Sequence, residues 1–207
     1  MKNFLLLILL CSNIPLLLAD ECGSLKNHFG PFDYRLPKNQ ADLKLVEDFH
    51  FTGNVERLIK GESGTLIQDL NYTLRAFPNH HRALITISNY AQRKNLPQYY
   101  KFLGKLTLDC YFRRAMSFMP DDYAIYLIYG THYYKTKQYE RAEQLYLNSL
   151  KLSPQNAEIH YNLGLLYLKL GTLEQSLSYA KKAYELGIPL PGLRKLLTKK
   201  GIWENPK

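Results

Sequence analysis

The chain has 207 residues, 46% of them apolar and 22% charged, which is enough for one or two small domains with a real core and too apolar for a disordered tail. Its 27 Lys and Arg against 18 Asp and Glu give a net charge of +9. Three cysteines suit neither a disulfide-dense miniprotein nor a paired zinc ribbon, and 17 tyrosines against one tryptophan are the oddest entries in the composition.

Residues 1–19 read as a secretory signal. Lys2 precedes an apolar stretch from Phe4 to Leu18, broken by Cys11-Ser12-Asn13 and Pro15, and the small Ala19 stands before acidic Asp20-Glu21. The run falls short of the ~20 apolar residues that a membrane-spanning helix needs. A lipid-modified cysteine is the rival reading, but Cys11 follows Leu10 and Cys22 follows Glu21, where a small residue is the norm. The expected location is therefore outside the cytoplasm, periplasmic or secreted. Removal of the signal leaves Cys22 and Cys110 in a compartment where thiols oxidise, and an even pair there is expected to form a bridge. The alternative is one exposed and one buried free thiol.

Residues 20–65 form an irregular N-terminal segment. Cys22–Lys44, with Gly30-Pro31 and Pro37, reads as extended and pinned by the bridge, and Val46–Lys60 reads either as a short helix or, through the alternation Phe49-His50-Phe51-Thr52, as a strand. Helical periodicity then takes over in residues 66–122. Leu66–Phe77 is closed by Pro78-Asn79, His81–Asn95 is closed by Leu96-Pro97, and Gln98–Phe118 follows. From Tyr123 the chain repeats itself at a period of 34. Tyr126-x2-Tyr129-Gly130-x2-Tyr133, Ala142-x3-Tyr146 and Pro154 are echoed by His160-x2-Leu163-Gly164-x2-Tyr167, Ser176-x3-Ala180 and Pro189. Gly171 and Gly187 mark helix ends, and Thr172 with Gln175 has the spacing of a capping box. Gly130 and Gly164 are expected where the two helices of a repeat approach closely, facing Ala142 and Ser176. Pro191–Lys200 reads as a last helix whose Leu193, Leu196 and Leu197 cover the final repeat, with Trp203 behind it.

This pattern resembles the tetratricopeptide repeat, W-x2-L-G-x2-Y…A-x3-F…P, with repeats at 123–156 and 157–190, divergent and expanded repeat-like helices over 66–122, and a capping helix and tail at 191–207. The resemblance implies an all-α superhelix of helical hairpins that acts as a protein-interaction scaffold. The Gly30-Pro31-Phe32-Asp33-Tyr34 segment and the Tyr72–Arg82 run are similar to a group of small exported bacterial repeat proteins of uncharacterised type, which implies a bacterial envelope and nothing about activity; the expected role is that of an adaptor in envelope assembly or secretion.

In such arrays the first helix of each repeat lines a concave groove. The positions left free by the packing signature are Leu127, Thr131, Tyr134 and Lys135, then Tyr161, Asn162, Leu165, Leu168 and Lys169. Apolar and aromatic with basic edges, they suit an apolar peptide or helix. Leu127 and Leu165 stand where a carboxylate clamp would need polar residues. The competing reading is that the chain fills this groove with its own N-terminal segment or C-terminal helix. No catalytic motif or phosphate loop is present, and no enzyme activity, metal or cofactor is expected. The alternative is a metal- or haem-handling factor or enzyme using His50, His80 and His81. His80 and His81, adjacent on a helix, point ~100° apart and read better as cap and packing residues. Asp121-Asp122 reads as a helix N-cap. Asn71-Tyr72-Thr73 is a glycosylation sequon inside a helix. Seven basic and two acidic residues crowd Lys181–Lys207, so Arg194, Lys195, Lys199 and Lys200 form a candidate basic patch for a weak contact with an anionic membrane surface. No nucleic-acid partner is expected.

Overall fold

The computed structural model describes residues 22–103 and 105–203. The signal read at residues 1–19 lies outside the described residues. Among the described residues, ten α-helices follow in chain order: α1 (Gln40–His50), α2 (Gly53–Glu56), α3 (Leu66–Ala76), α4 (His81–Arg93), α5 (Leu108–Phe118), α6 (Tyr123–Lys135), α7 (Tyr139–Leu152), α8 (Ala157–Leu170), α9 (Leu173–Glu185) and α10 (Gly192–Lys199). Among the described residues there is no strand, only an isolated bridge between Phe102 and Leu106. The architecture is the expected all-α stack of helical hairpins, with α6–α7 and α8–α9 the most closely packed pairs.

Side chains at the helix starts explain where the helices begin. Thr65 and Gln68 form a reciprocal capping box on α3, Asp122 Oδ1 accepts from Ala124 N on α6, and Asn156 Oδ1 accepts from Glu158 N and Ile159 N on α8. Gly171, at φ +80°, ends α8 in the left-handed region. A continuous core runs from Phe51 and Val55 through Leu84, Ile87, Phe112 and Ile125 to Ile159 and Leu163. The tyrosine excess serves it: Tyr129 stacks on Phe112 at 4.2 Å, while the Tyr129 and Tyr133 hydroxyls both donate to Asp109 Oδ1. A phenol buried beside a carboxylate resists ionisation, so burial first and Asp109 second push the Tyr129 pKa up.

Several sequence expectations are corrected. The Val46–Lys60 element is neither one helix nor a strand; α1 begins earlier, at Gln40, and Phe51 ends it before the short α2. The stretch read as Gln98–Phe118 becomes helical only at Leu108, where the Thr107 side chain accepts from Cys110 N. Asn95, at φ +48°, has already turned the chain out of α4, and residues 94–103 and 105–107 are outside any helix. The capping box at α9 does not form, because Thr172 Oγ1 turns back to the Tyr167 carbonyl at 3.3 Å. In α10, Leu193 and Leu197 are fully buried but Leu196 is 46% exposed. Gly164 approaches α10 as closely as its own hairpin partner: a Cβ there would lie 2.5 Å from Leu193 Cδ2, against 3.4 Å from the Ala180 N and Ser176 O of α9.

The N-terminal segment is a strap. Cys22 and Cys110 are joined by a disulfide, and the buried Arg114 one turn along α5 donates through Nη1 to the carbonyls of Cys22, Gly23 and Ser24 at 3.2, 3.0 and 2.7 Å. Further on, Phe32 N donates to the Ala76 carbonyl at 2.8 Å, and Phe29, Phe32 and Tyr34 pack on Leu43, Val46 and Phe77. Gly30 is required here: at φ +92°, its Cβ would lie 2.5 Å from the Ala76 oxygen. The strap ends in a polar cluster. Asn79 Nδ2 reaches Asp33 at 2.7 Å and Asp122 at 3.2 Å, Arg35 pairs with Asp33 at 3.1 Å, and His81 Nε2 contacts Asp122 at 2.8 Å.

Candidate functional site

The first helices of successive hairpins, α4, α6 and α8, line one face of the stack. Between them lies an open cavity of about 310 Å³. Ile85, Ser88 and Asn89 come from α4, Tyr123, Leu127, Ile128, Thr131, His132 and Lys135 from α6, and Glu158 from α8. Its walls are apolar at Ile85, Leu127 and Ile128, and Ile85 is 43% exposed. Among the described residues, none of the strap or of α10 lines it. His132 sets the electrostatics of its wall. Its Nδ1 contacts Ser88 Oγ at 2.9 Å and accepts from Gln92 Nε2 at 3.4 Å. Burial holds its pKa down to about 4, with Lys135 adding to the effect and Asp109 opposing it. The imidazole is therefore neutral at physiological pH, while Lys135 and Glu158 place one charge of each sign on the cavity wall.

The structure brings only some of the expected groove residues together. Leu127, Thr131 and Lys135 line the cavity. Tyr134 leans on Tyr139, with ring centroids 5.9 Å apart, and is not in the lining. On α8 the face is taken by the chain's own C-terminal helix: Tyr161 is buried, its hydroxyl accepts from Leu193 N at 3.2 Å, and Leu165 and Leu168 pack against the Leu193–Leu197 cluster. Asn162 and Lys169 stay on α8 outside the cavity. The α4 residues are the ones the repeat signature missed. Ile85 and Asn89 stand four and eight residues after His81, as Leu127 and Thr131 stand after Tyr123. Register from the helix start would have found them.

The basic patch is also divided. Arg194 lies over the rings of Tyr184 and Trp203, 4.1 and 4.9 Å from their centroids, and is held by stacking. Lys195, Lys199 and Lys200 are exposed.

The three histidines do not converge. His50 Nδ1 contacts Asp69 at 2.9 Å and its ring stacks on Tyr72. The fully buried His80 accepts from Ala83 N through Nδ1, so its proton sits on Nε2 and is donated to Glu47 at 3.0 Å. Burial lowers its pKa against the pull of Glu47. His81 turns the other way, to Asp122. No group of three or more His, Cys, Asp or Glu among the described residues could hold a metal ion. Asn71 of the sequon accepts from the Tyr111 hydroxyl at 2.8 Å, and Thr73 is fully buried.

Comparison with known proteins agrees with this geometry. The TPR repeat family matches residues 130–171, and a second tetratricopeptide-repeat family matches residues 157–186. Protein O-mannosyl-transferase TMTC3 of Mus musculus is 29% identical over 115 residues, 55% of this chain and 12% of that protein. Its Homo sapiens counterpart is 27% identical over 133 residues, 63% of this chain and 13% of that protein. The chain thus spans about an eighth of the length of these curated relatives. Among solved structures, that of Pseudomonas aeruginosa PilF superposes with a TM-score of 0.55 at 22% identity, over 79% of this chain and 69% of that one. MamA superposes with a TM-score of 0.51 at 17% identity, over 80% and 86%. At these identities the likeness is one of fold. Helical hairpins at a 34-residue period and the family matches identify residues 130–186 as tetratricopeptide repeats, within an all-α fold that these solved structures share.

Proposed function

We propose that this protein is an exported, non-catalytic scaffold of the bacterial envelope that receives an apolar peptide segment or helix in the groove between α4 and α6. The observation that carries the reading is the uncovered cavity of about 310 Å³, walled by Ile85, Leu127 and Ile128, in a chain whose α8 face is already closed by α10. Export rests on the Lys2–Ala19 pattern and on the Cys22–Cys110 bridge, which suits an oxidising compartment. Apolar walls supply affinity without direction, and the Asn89, Thr131, Lys135 and Glu158 side chains around them supply orientation.

The test is affinity capture from envelope extract with the native chain and with Ile85→Glu. Ile85 is exposed enough for glutamate to be tolerated by the fold, which circular dichroism checks. The carboxylate would have to be desolvated under a bound apolar segment, and capture should fall at least ~10-fold. A captured set unchanged by Ile85→Glu and by Ile128→Glu would remove the groove from consideration.

A further inference from the structure

The loop between α4 and α5 is longer than the repeat requires, and its composition is one-sided. No Asp or Glu occurs between Asp69 and Asp109, while Arg93, Lys94, Lys101 and Lys105 fall in and beside the loop. The loop is nevertheless firmly seated. Phe102 is 2% exposed, packed against Tyr111 and Tyr100, Phe102 N donates to the Leu106 carbonyl at 2.8 Å, and Lys105 N donates to the Phe102 carbonyl at 3.0 Å. From this anchored turn the neighbouring side chains point outward: Tyr99 is 81% exposed and Leu103 44%. Arg93 Nη1 donates to the Arg57 carbonyl at 3.4 Å, which brings the turn after α2 to the same edge, with Ile59 61% exposed beside Lys60.

We propose that this edge docks on an anionic lipid bilayer, with Tyr99, Leu103 and Ile59 entering the headgroup layer and Lys94, Lys101 and Lys105 meeting lipid phosphates. Three observations favour lipid over an acidic protein. The apolar groups are isolated, protruding tips, which bury more surface in a soft interface than against a folded partner. Tyrosine is a residue of the water–lipid boundary. The lysines are also uncommitted: Lys94, Lys101 and Lys105 are exposed and form no ion pair among the described residues, whereas Lys44 and Lys182 each pair with a carboxylate on their own helix. Lys94, at the end of α4, would be favoured there by the helix dipole alone. Lys105 lies just before the start of α5, where the dipole opposes a cation, so helix electrostatics do not explain it. The proposal is independent of the groove and of the C-terminal lysines.

The experiment is co-sedimentation of the full chain with vesicles of phosphatidylcholine alone and of phosphatidylcholine with phosphatidylglycerol at 0.1 M salt. The readout is the ratio of the two dissociation constants, which cancels any apolar insertion common to both. Each lysine near an anionic surface is worth about fivefold, so Lys94→Gln, Lys101→Gln and Lys105→Gln together should lower that ratio on the order of 100-fold. Tyr99→Ser with Leu103→Ser, at exposed positions that leave the fold intact, should weaken binding to both vesicles. Lys195→Gln, Lys199→Gln and Lys200→Gln should leave the ratio unchanged. Equal binding of the native chain to the two vesicles, or a ratio that follows the C-terminal lysines, would overturn the assignment. So would polyglutamate that binds more tightly than the vesicles through the same loop lysines, which would mark an acidic protein as the occupant.

Discussion

The contact between Gly164 and Leu193 decides whether α10 is an integral part of the last repeat, and it can be tested by a change of sign. Leu193 is fully buried, so Leu193→Ala should cost ~3 kcal/mol in transfer and cavity terms. Gly164→Ala has two opposed effects. Alanine in a helix interior is favoured by ~1 kcal/mol over glycine, but its Cβ would stand 2.5 Å from Leu193 Cδ2, and overpacking of this kind costs ~2 kcal/mol. Alone, Gly164→Ala should therefore destabilise by ~1 kcal/mol. With Leu193 already truncated, the nearest remaining atoms are the Ala180 N and Ser176 O at 3.4 Å, and the same substitution should stabilise by up to ~1 kcal/mol. The coupling energy is then ~2 kcal/mol, read from urea unfolding of the four proteins by circular dichroism. A Gly164→Ala effect of the same sign and size in both backgrounds would show that α10 does not rest on α8, and the α8 face would return as a candidate groove.

Acidification is expected to destabilise the fold before carboxylates titrate. His80 and His132 both have folded pKa values below the ordinary 6.5, lowered by burial. The unfolded chain thus binds more protons; the stability they lend is complete above about pH 6.5 and is lost as pH falls toward the folded values. With His132 at about 4, its share between pH 7.5 and 5 is ~2 kcal/mol. His132→Gln should flatten that part of the urea-midpoint profile, and an unchanged profile would contradict a neutral buried imidazole. The Cys22–Cys110 bridge spans a sequence separation of 88; on the chain-entropy relation, Cys22→Ala with Cys110→Ala should cost ~4.6 kcal/mol. A loss under ~1 kcal/mol would mean that Arg114 and the Phe29–Tyr34 contacts alone hold the strap.

The parts of the fold that were legible in the sequence are those fixed by local geometry. Gly130 must be small because a Cβ there would meet the Tyr146 ring at 2.7 Å, and the 34-residue spacing repeats such constraints. Asp122 as the cap of α6 and Gly171 as the end of α8 act within one helical turn of themselves, so those two roles were written beside them. The misread segments are those whose partners are distant in the chain. Residues 98–107 carry apolar groups at a helix-like spacing, yet Phe102 is buried from a turn and Gln98 reaches forward to Asp109. The Asp33–Asn79–Asp122 cluster joins residues 43 and 46 positions apart, a relation no periodicity records. The groove was half legible for the same reason. Leu127, Thr131 and Lys135 follow from the repeat signature, whereas the claim of α10 on Tyr161, Leu165 and Leu168 depends on a helix outside it.

The two ends of the stack are closed by different means, and this places the remaining binding surface. At the C-terminal end α10 covers α8 through Leu193, Leu197 and the Tyr161 hydroxyl. At the N-terminal end the strap is tied covalently to α5 and through Arg114 to its own carbonyls, then reaches the turns before α4 and α6 through Asp33, Asn79 and Asp122. Asp122 caps α6 and also receives His81, which begins α4 and lines the groove. The strap therefore fixes the spacing between the two helices whose facing side chains make the cavity, although it contributes no atom to the lining. A short repeat array has few neighbours to hold its helices in register. Here a disulfide-tethered segment takes over that task at the point where α4 and α6 leave their turns, and the groove between them is left open.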